Sequence, residues 1–96
     1  MSDSRSDDQA PTESLIEYPS DFPIKIMGAH HDLFVPTVVE VVLQFDPGFD
    51  AANLELRPSA QGTYLAITAT VRATSREQLD GLYRALSSHP MVKVVL

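Results

Sequence analysis

The stretch Thr63–Ala73, which reads TYLAITATVRA, alternates between apolar and polar or small side chains along its whole length. Its apolar set comprises Leu65, Ile67, Ala69 and Val71. Because successive side chains of a β-strand point to opposite faces of the sheet, this alternation predicts a strand with one buried and one open face. Its content of β-branched residues is typical of a strand in the middle of a sheet.

Three further strands are predicted outward from this one. They are Phe22–Gly28, Asn53–Pro58 and Met91–Leu96. In the first of them Ile24 and Ile26 share the apolar side, while Lys25 and Met27 share the other. Leu54 and Leu56 alternate with charged residues in the second, which predicts a half-buried strand.

Two helices are predicted between the strands. The first runs from about Leu33 to Phe45 and has an apolar stripe of Phe34, Val38, Val41, Val42 and Phe45. The second follows Thr74 and has a stripe of Leu79, Leu82, Tyr83 and Leu86. We expect Asp32 to cap the first helix, and Thr74 with Glu77 to form a capping box at the second. Gly81 is expected to mark close packing of the second helix on the sheet.

The order of these elements, β-α-β-β-α-β, predicts an α+β fold of the ferredoxin-like type. With right-handed crossovers it gives a four-stranded antiparallel sheet with both helices on one face. In this arrangement the first strand is flanked by the third and the fourth.

Length and composition predict one domain and limit its chemistry. The chain has 96 residues, a net charge of −6 and no cysteine, which excludes disulfides and thiolate metal sites. We expect residues 1–14 to form a disordered acidic tail, and residues 15–96 to form the single domain. An acidic chain lacks the basic surface that nucleic-acid binding requires. No apolar run could span a membrane and the N-terminus does not resemble a secretory signal, so we expect a cytoplasmic protein.

Short motifs along the chain from about Leu15 to Leu96 carry a family likeness. They are Phe22-Pro23, Lys25, Met27-Gly28, Val38-Val39-Glu40-Val41-Val42, Pro58-Ser59, Gly62 with Tyr64, Ala73-Thr74, Glu77-Gln78, Leu82-Tyr83, Leu86 and Val95-Leu96. In this order and spacing the chain resembles the YbeD-like family, small bacterial proteins grouped as a domain of unknown function. The resemblance implies a ferredoxin-like fold similar to the ACT regulatory domains of amino-acid enzymes. The chain departs from the family at Ala29-His30-His31 and at Phe45–Asp50.

No set of residues in the sequence converges on catalysis. The triplet His30-His31-Asp32 has two interpretations, a metal site or general base on one side and a loop ahead of a helix on the other. Adjacent residues seldom point at one ion and no third spaced ligand is evident, so we expect the loop. We therefore predict a protein that is not an enzyme and that has no metal and no cofactor.

Basic residues gather on the side of the predicted sheet that faces away from the helices. Alternation assigns Lys25, Met27, Arg57, Arg72, Lys93 and Val95 to this side, and Val92 and Val94 to the apolar side. Such a face could bind an acidic partner or a small anion, or it could be a solvated surface whose charges resist edge pairing. Gly28 has two interpretations as well. It matches the turn that contacts amino-acid ligands in ACT-like domains, or it serves a backbone turn with positive φ.

These observations favour a regulatory or adaptor module that acts by binding a protein partner. The alternative is an ACT-like sensor of an amino acid or another small metabolite. The tentative binding residues are Lys25, Met27, Gly28, Arg72 and Lys93. The sequence leaves open whether the protein is a monomer or a homodimer.

Overall fold

Two helices cover one face of a four-stranded antiparallel sheet in the computed structural model, which describes residues 17–96. The elements are β1 (Ser20–Ala29), α1 (Phe34–Phe45), a 3-10 turn (Ala51–Asn53), β2 (Glu55–Pro58), β3 (Tyr64–Ala73), α2 (Arg76–Ser87) and β4 (Val92–Val95). The strand order β2-β3-β1-β4 confirms the predicted ferredoxin-like plan, with β1 between β3 and β4. The predicted tail, residues 1–14, and the first two residues of the predicted domain lie outside the described residues.

The core lies between the sheet and the two helices. Ile24 and Ile26 of β1 stand opposite Ala69 and Ile67 of β3, and all four are fully buried. The helices contribute Phe34, Val38 and Val42 from α1 and Leu79, Leu82 and Leu86 from α2. The alternation predicted for both central strands is therefore confirmed, because each places its apolar set toward the helices.

The start of α1 differs from the prediction. Asp32 does not cap it, because the N-cap residue is Leu33 and no side chain bonds to the first turn. His31 satisfies two backbone donors instead. Its carbonyl oxygen accepts from the Phe34 N–H at 2.9 Å, and its Nδ1 accepts from the Leu33 N–H at 3.0 Å. Asp32 is left exposed between them.

The N-cap of α2 lies one residue later than predicted. Ser75, not Thr74, is the N-cap, and its hydroxyl accepts from the Gln78 N–H at 3.0 Å. The Gln78 side-chain oxygen accepts from the Thr74 N–H at 2.7 Å. Its Nε2 donates to the carbonyl oxygens of Phe45 and Arg72, at 2.8 and 3.1 Å. An amide both donates and accepts, so Gln78 joins three segments in a way that the carboxylate of Glu77 could not.

The two edge strands also depart from the prediction. All four residues of β2 are exposed, because the helices do not extend over this edge. In β4, Val94 stands opposite Met27 and Val95 opposite Ile26, with a shift in register between Met27 and Gly28. Val95 therefore packs against the core and Val94 is exposed, the reverse of the predicted faces. At the shift β4 has one more residue, Lys93, than β1. Such a bulge interrupts the alternation of side chains between the two faces of the sheet.

Candidate functional site

The side of the sheet that faces away from the helices, called the open face below, carries a shallow hollow of about 310 Å³. Residues from the strands β1, β2 and β3, from the turn between β2 and β3 and from the segment after β4 line it. They are Lys25, Met27, Arg57, Pro58, Ser59, Tyr64, Ala66 and Leu96. The hollow therefore lies across the width of the sheet and contains Lys25 and Met27, two of the predicted binding residues.

Apolar side chains form the centre of the open face. Met27 stands opposite Ala66 on one side and opposite Val94 on the other. Tyr64, Val94 and Leu96 are 47%, 43% and 65% exposed. These five residues are called the apolar patch. Isolated exposed apolar residues are common on proteins, but a contiguous group of them marks a candidate interaction surface.

Backbone hydrogen bonds fix Leu96 at the edge of the patch. Its N–H donates to the Lys25 carbonyl oxygen at 2.8 Å, and its carbonyl oxygen accepts from the Lys25 N–H at 3.2 Å. The Tyr83 hydroxyl of α2 also donates to the Leu96 carbonyl oxygen, at 3.3 Å. Burial raises the pKa of the Tyr83 phenol above its usual range, because desolvation disfavours the charged form. The phenol therefore stays protonated, and able to donate, up to a higher pH than an exposed tyrosine does.

Two cations, Lys25 and Arg57, border the apolar patch. Among residues 17–96, neither Lys25 nor Arg57 forms an ion pair. The acid that shares a row of the sheet with Lys25 is Glu55, since Glu55 and Lys25 both stand opposite Thr68. These three residues and Arg57 line an adjoining hollow of about 260 Å³. The open face thus combines an apolar centre with two positive charges that no acid of residues 17–96 pairs with.

The other predicted site residues lie elsewhere. Arg72 is exposed on the same sheet, but its guanidinium is paired with the carboxylate of Asp21 at 3.1 Å. Its charge is therefore offset, and it lies near the end of β1 that is remote from Met27. Lys93 is exposed at the bulge of β4, where no residue of β1 stands opposite it. Sequence reasoning missed Val94 and Leu96 because the bulge changes which β4 residues reach the open face.

Gly28 belongs to the core and not to a ligand turn. It lies within β1 and faces the helices, opposite the buried Leu65. A Cβ at this position would overlap the Met91 carbonyl oxygen and come within 2.7 Å of Phe34 Cζ. Among the described glycines only Gly62 has a positive φ, 75°, so the positive-φ interpretation of Gly28 is wrong. Close packing requires the glycine.

Gly81 is a second packing glycine, and its neighbour differs from the prediction. A Cβ there would lie 2.8 Å from Phe45 Cε1, so Gly81 allows α2 to approach α1 and not the sheet.

Within the described part of the chain, no group of three or more His, Cys, Asp or Glu side chains could hold a metal ion. In the same part, neither helix has the length and apolar character needed to cross a membrane.

Comparisons with known proteins agree with the fold and identify the family. Residues 13–96 match the family described as a protein of unknown function, DUF493. A UPF0250 protein of Janthinobacterium and another of Bordetella pertussis are each 71% identical over 86 residues, covering 90% of this chain and 94% of theirs. The solution structure of HP0495 from Helicobacter pylori has a TM-score of 0.74 at 16% identity, covering 100% of this chain and 98% of that one. The resemblance drawn from the sequence is thereby confirmed, and the chain belongs to the DUF493 family.

Proposed function

We propose that this protein is a non-enzymatic regulatory or adaptor module that binds a protein partner with the open face of its sheet. The observation that carries the proposal is the apolar patch with Lys25 and Arg57 beside it. Protein interfaces commonly have an apolar centre, often containing Tyr or Met, within a polar rim. A rim charge can contribute to steering and orientation of a partner with the opposite charge, and no acid of residues 17–96 forms an ion pair with Lys25 or Arg57.

The charges indicate what the partner surface should contain. Arg57 stands opposite Ala66 and so lies at the β2 end of the row formed by Met27 and Ala66. Lys25 lies in the next row, opposite Thr68, and Glu55 is two positions from Arg57 on the same side of β2. An apolar segment with at least one carboxylate would bury the patch and pair with a cation. A basic segment would place like charges together, which disfavours association.

Site-specific photo-cross-linking in bacterial cells tests this proposal. A benzophenone amino acid replaces Tyr64 in the apolar patch, and in a separate variant it replaces Asp80, which is exposed on α2. We expect a discrete protein adduct from position 64 and none from position 80. Lys25→Glu in the position-64 variant should abolish the adduct, whereas Arg84→Glu, a charge reversal on α2, should not.

Two results would count against the proposal. One is the same adduct from positions 64 and 80, which would indicate non-specific contact. The other is an adduct from position 64 that survives Lys25→Glu, since the free cation would then play no part in recognition.

A further inference from the structure

A third hollow, of about 300 Å³, lies beside the edge strand β2 on the helix side of the sheet. Val35, Leu56, Pro58 and Leu65 supply its apolar walls, and His30 and His31 of the β1–α1 loop line it as well. Leu56 is 51% exposed although it stands opposite the fully buried Ile67. The hollow exists because α1 does not reach over β2.

The two histidines offer opposite hydrogen-bonding groups in their neutral forms. His30 Nδ1 lies 3.1 Å from the Gly62 carbonyl oxygen, which can only accept, so Nδ1 carries the hydrogen and Nε2 is an acceptor. His31 Nδ1 accepts from the Leu33 N–H, so it carries no hydrogen and Nε2–H is a donor. Neither Nε2 has a partner among residues 17–96. Consecutive residues thus present one acceptor and one donor.

The backbone of β2 adds a second donor and acceptor pair. The Ser59 N–H donates to the Tyr64 carbonyl oxygen at 2.9 Å, which fixes the phase of the antiparallel ladder. Hydrogen-bonded pairs alternate along such a ladder, so the N–H and C=O of Leu56 point away from β3. Because β2 is an edge of the sheet, no strand of the described chain pairs with them there.

We infer that this hollow binds an extended, apolar peptide segment of another protein. A peptide group is neutral and carries one donor and one acceptor, which matches the free nitrogens of His30 and His31. A peptide in the extended form can also pair with Leu56, as in strand addition to a sheet edge, and place an apolar side chain in the hollow. Asp32 lines the hollow too, and its carboxylate disfavours anionic ligands. The site shares Leu56 and Pro58 with the hollows of the open face, but the inference does not depend on the function proposed for that face.

Titration of the isotope-labelled full chain with N-acetyl-Val-Leu-Val amide, followed by NMR, tests the inference. We expect the backbone signals of His30, His31 and Leu56 to shift, with a dissociation constant in the millimolar range that is ordinary for so short a ligand. The same tripeptide with methylated backbone nitrogens and a dimethylated C-terminal amide keeps the side chains but has no N–H donors. It should bind more weakly by at least about threefold.

A matched pair of variants separates recognition from folding. His31→Asn keeps an acceptor for the Leu33 N–H, because its Oδ1 can take the place of Nδ1, but it removes the Nε2 donor. It should weaken binding to a similar degree while the spectrum remains dispersed. Gln44→Ala, an exposed change on α1, should leave the affinity unaltered. The inference is overturned if the methylated peptide binds equally well, if His31→Asn has no effect, or if the shifts fall on Met27 and Ala66 of the open face instead.

Discussion

Gly28→Ala should destabilise the protein strongly, because the new methyl group would meet two obstacles that cannot easily move. One is the Met91 carbonyl oxygen, which is part of the backbone leading into β4. The other is the ring of Phe34, which is fully buried. Overpacking of a core costs about 1–3 kcal/mol, and two rigid obstacles place this change near the upper end.

The expected loss is measurable by urea or thermal denaturation followed by circular dichroism. A loss of about 3 kcal/mol corresponds to a fall in melting temperature of roughly 12–24 °C for a domain of this size. Gly48→Ala is the matched control, since the nearest atom to its Cβ, Asp46 Oδ1, is 3.9 Å away. It should change the free energy of unfolding by less than about 1 kcal/mol. Equal stability of the two variants would refute the packing interpretation of Gly28.

Three further changes test other parts of the structure. Ile67→Ala should lower the free energy of unfolding by roughly 2–4 kcal/mol, because it leaves a cavity. Thr68→Ala, on the opposite face of β3, should lower it by well under 1 kcal/mol in the same denaturation assay. Similar losses for the two variants would contradict the assignment of the faces of β3. Ser75→Ala should lower the free energy of unfolding by about 1 kcal/mol, because it removes the N-cap of α2, and Thr74→Ala should lower it by less than half of that. A larger loss for Thr74→Ala would indicate that Thr74 is the N-cap. Because the pKa of Tyr83 is raised on folding, its contribution is fully present below about pH 10 and is lost as the pH rises through the folded-state value. Unfolding measured on both sides of this pH should therefore show wild type losing stability relative to Tyr83→Phe, and a constant difference would contradict the assignment.

The central strands could be predicted from the sequence because one local rule determines them. In β1 and β3, alternate apolar residues must all reach the same core, and a shift by one residue would expose the whole set. Lys25 and Met27 were therefore assigned to the open face correctly. The pattern of β4 is too short and too uniform in valine to reveal a bulge, so Val94 and Val95 were assigned to the wrong faces.

The errors at the helix starts and at Arg72 have a different cause, since each depends on a contact between distant parts of the chain. Ser75 and Thr74 are both good N-cap residues, and the choice depends on Gln78 reaching the Phe45 carbonyl oxygen from 33 positions away. Arg72 is paired with Asp21, which lies 51 positions away. The ion pair follows only once β1 and β3 are aligned in register. Local sequence patterns thus identify the helices and strands. Which basic residues of the sheet are paired with an acid depends on how the strands are aligned.

The affinity of the cross-linked partner for charge-reversed protein tests the proposed binding surface most directly. The partner recovered from position 64 is purified, and its dissociation constant is measured for wild type, Lys25→Glu and Arg84→Glu. Reversal of Lys25 replaces an attraction with a repulsion at the rim of the apolar patch, so we expect the affinity to fall by about tenfold or more. Arg84→Glu makes the same change of net charge on α2 and should leave the affinity within about twofold of wild type. Equal losses for the two variants, or no loss for Lys25→Glu, would show that the open face is not the binding surface.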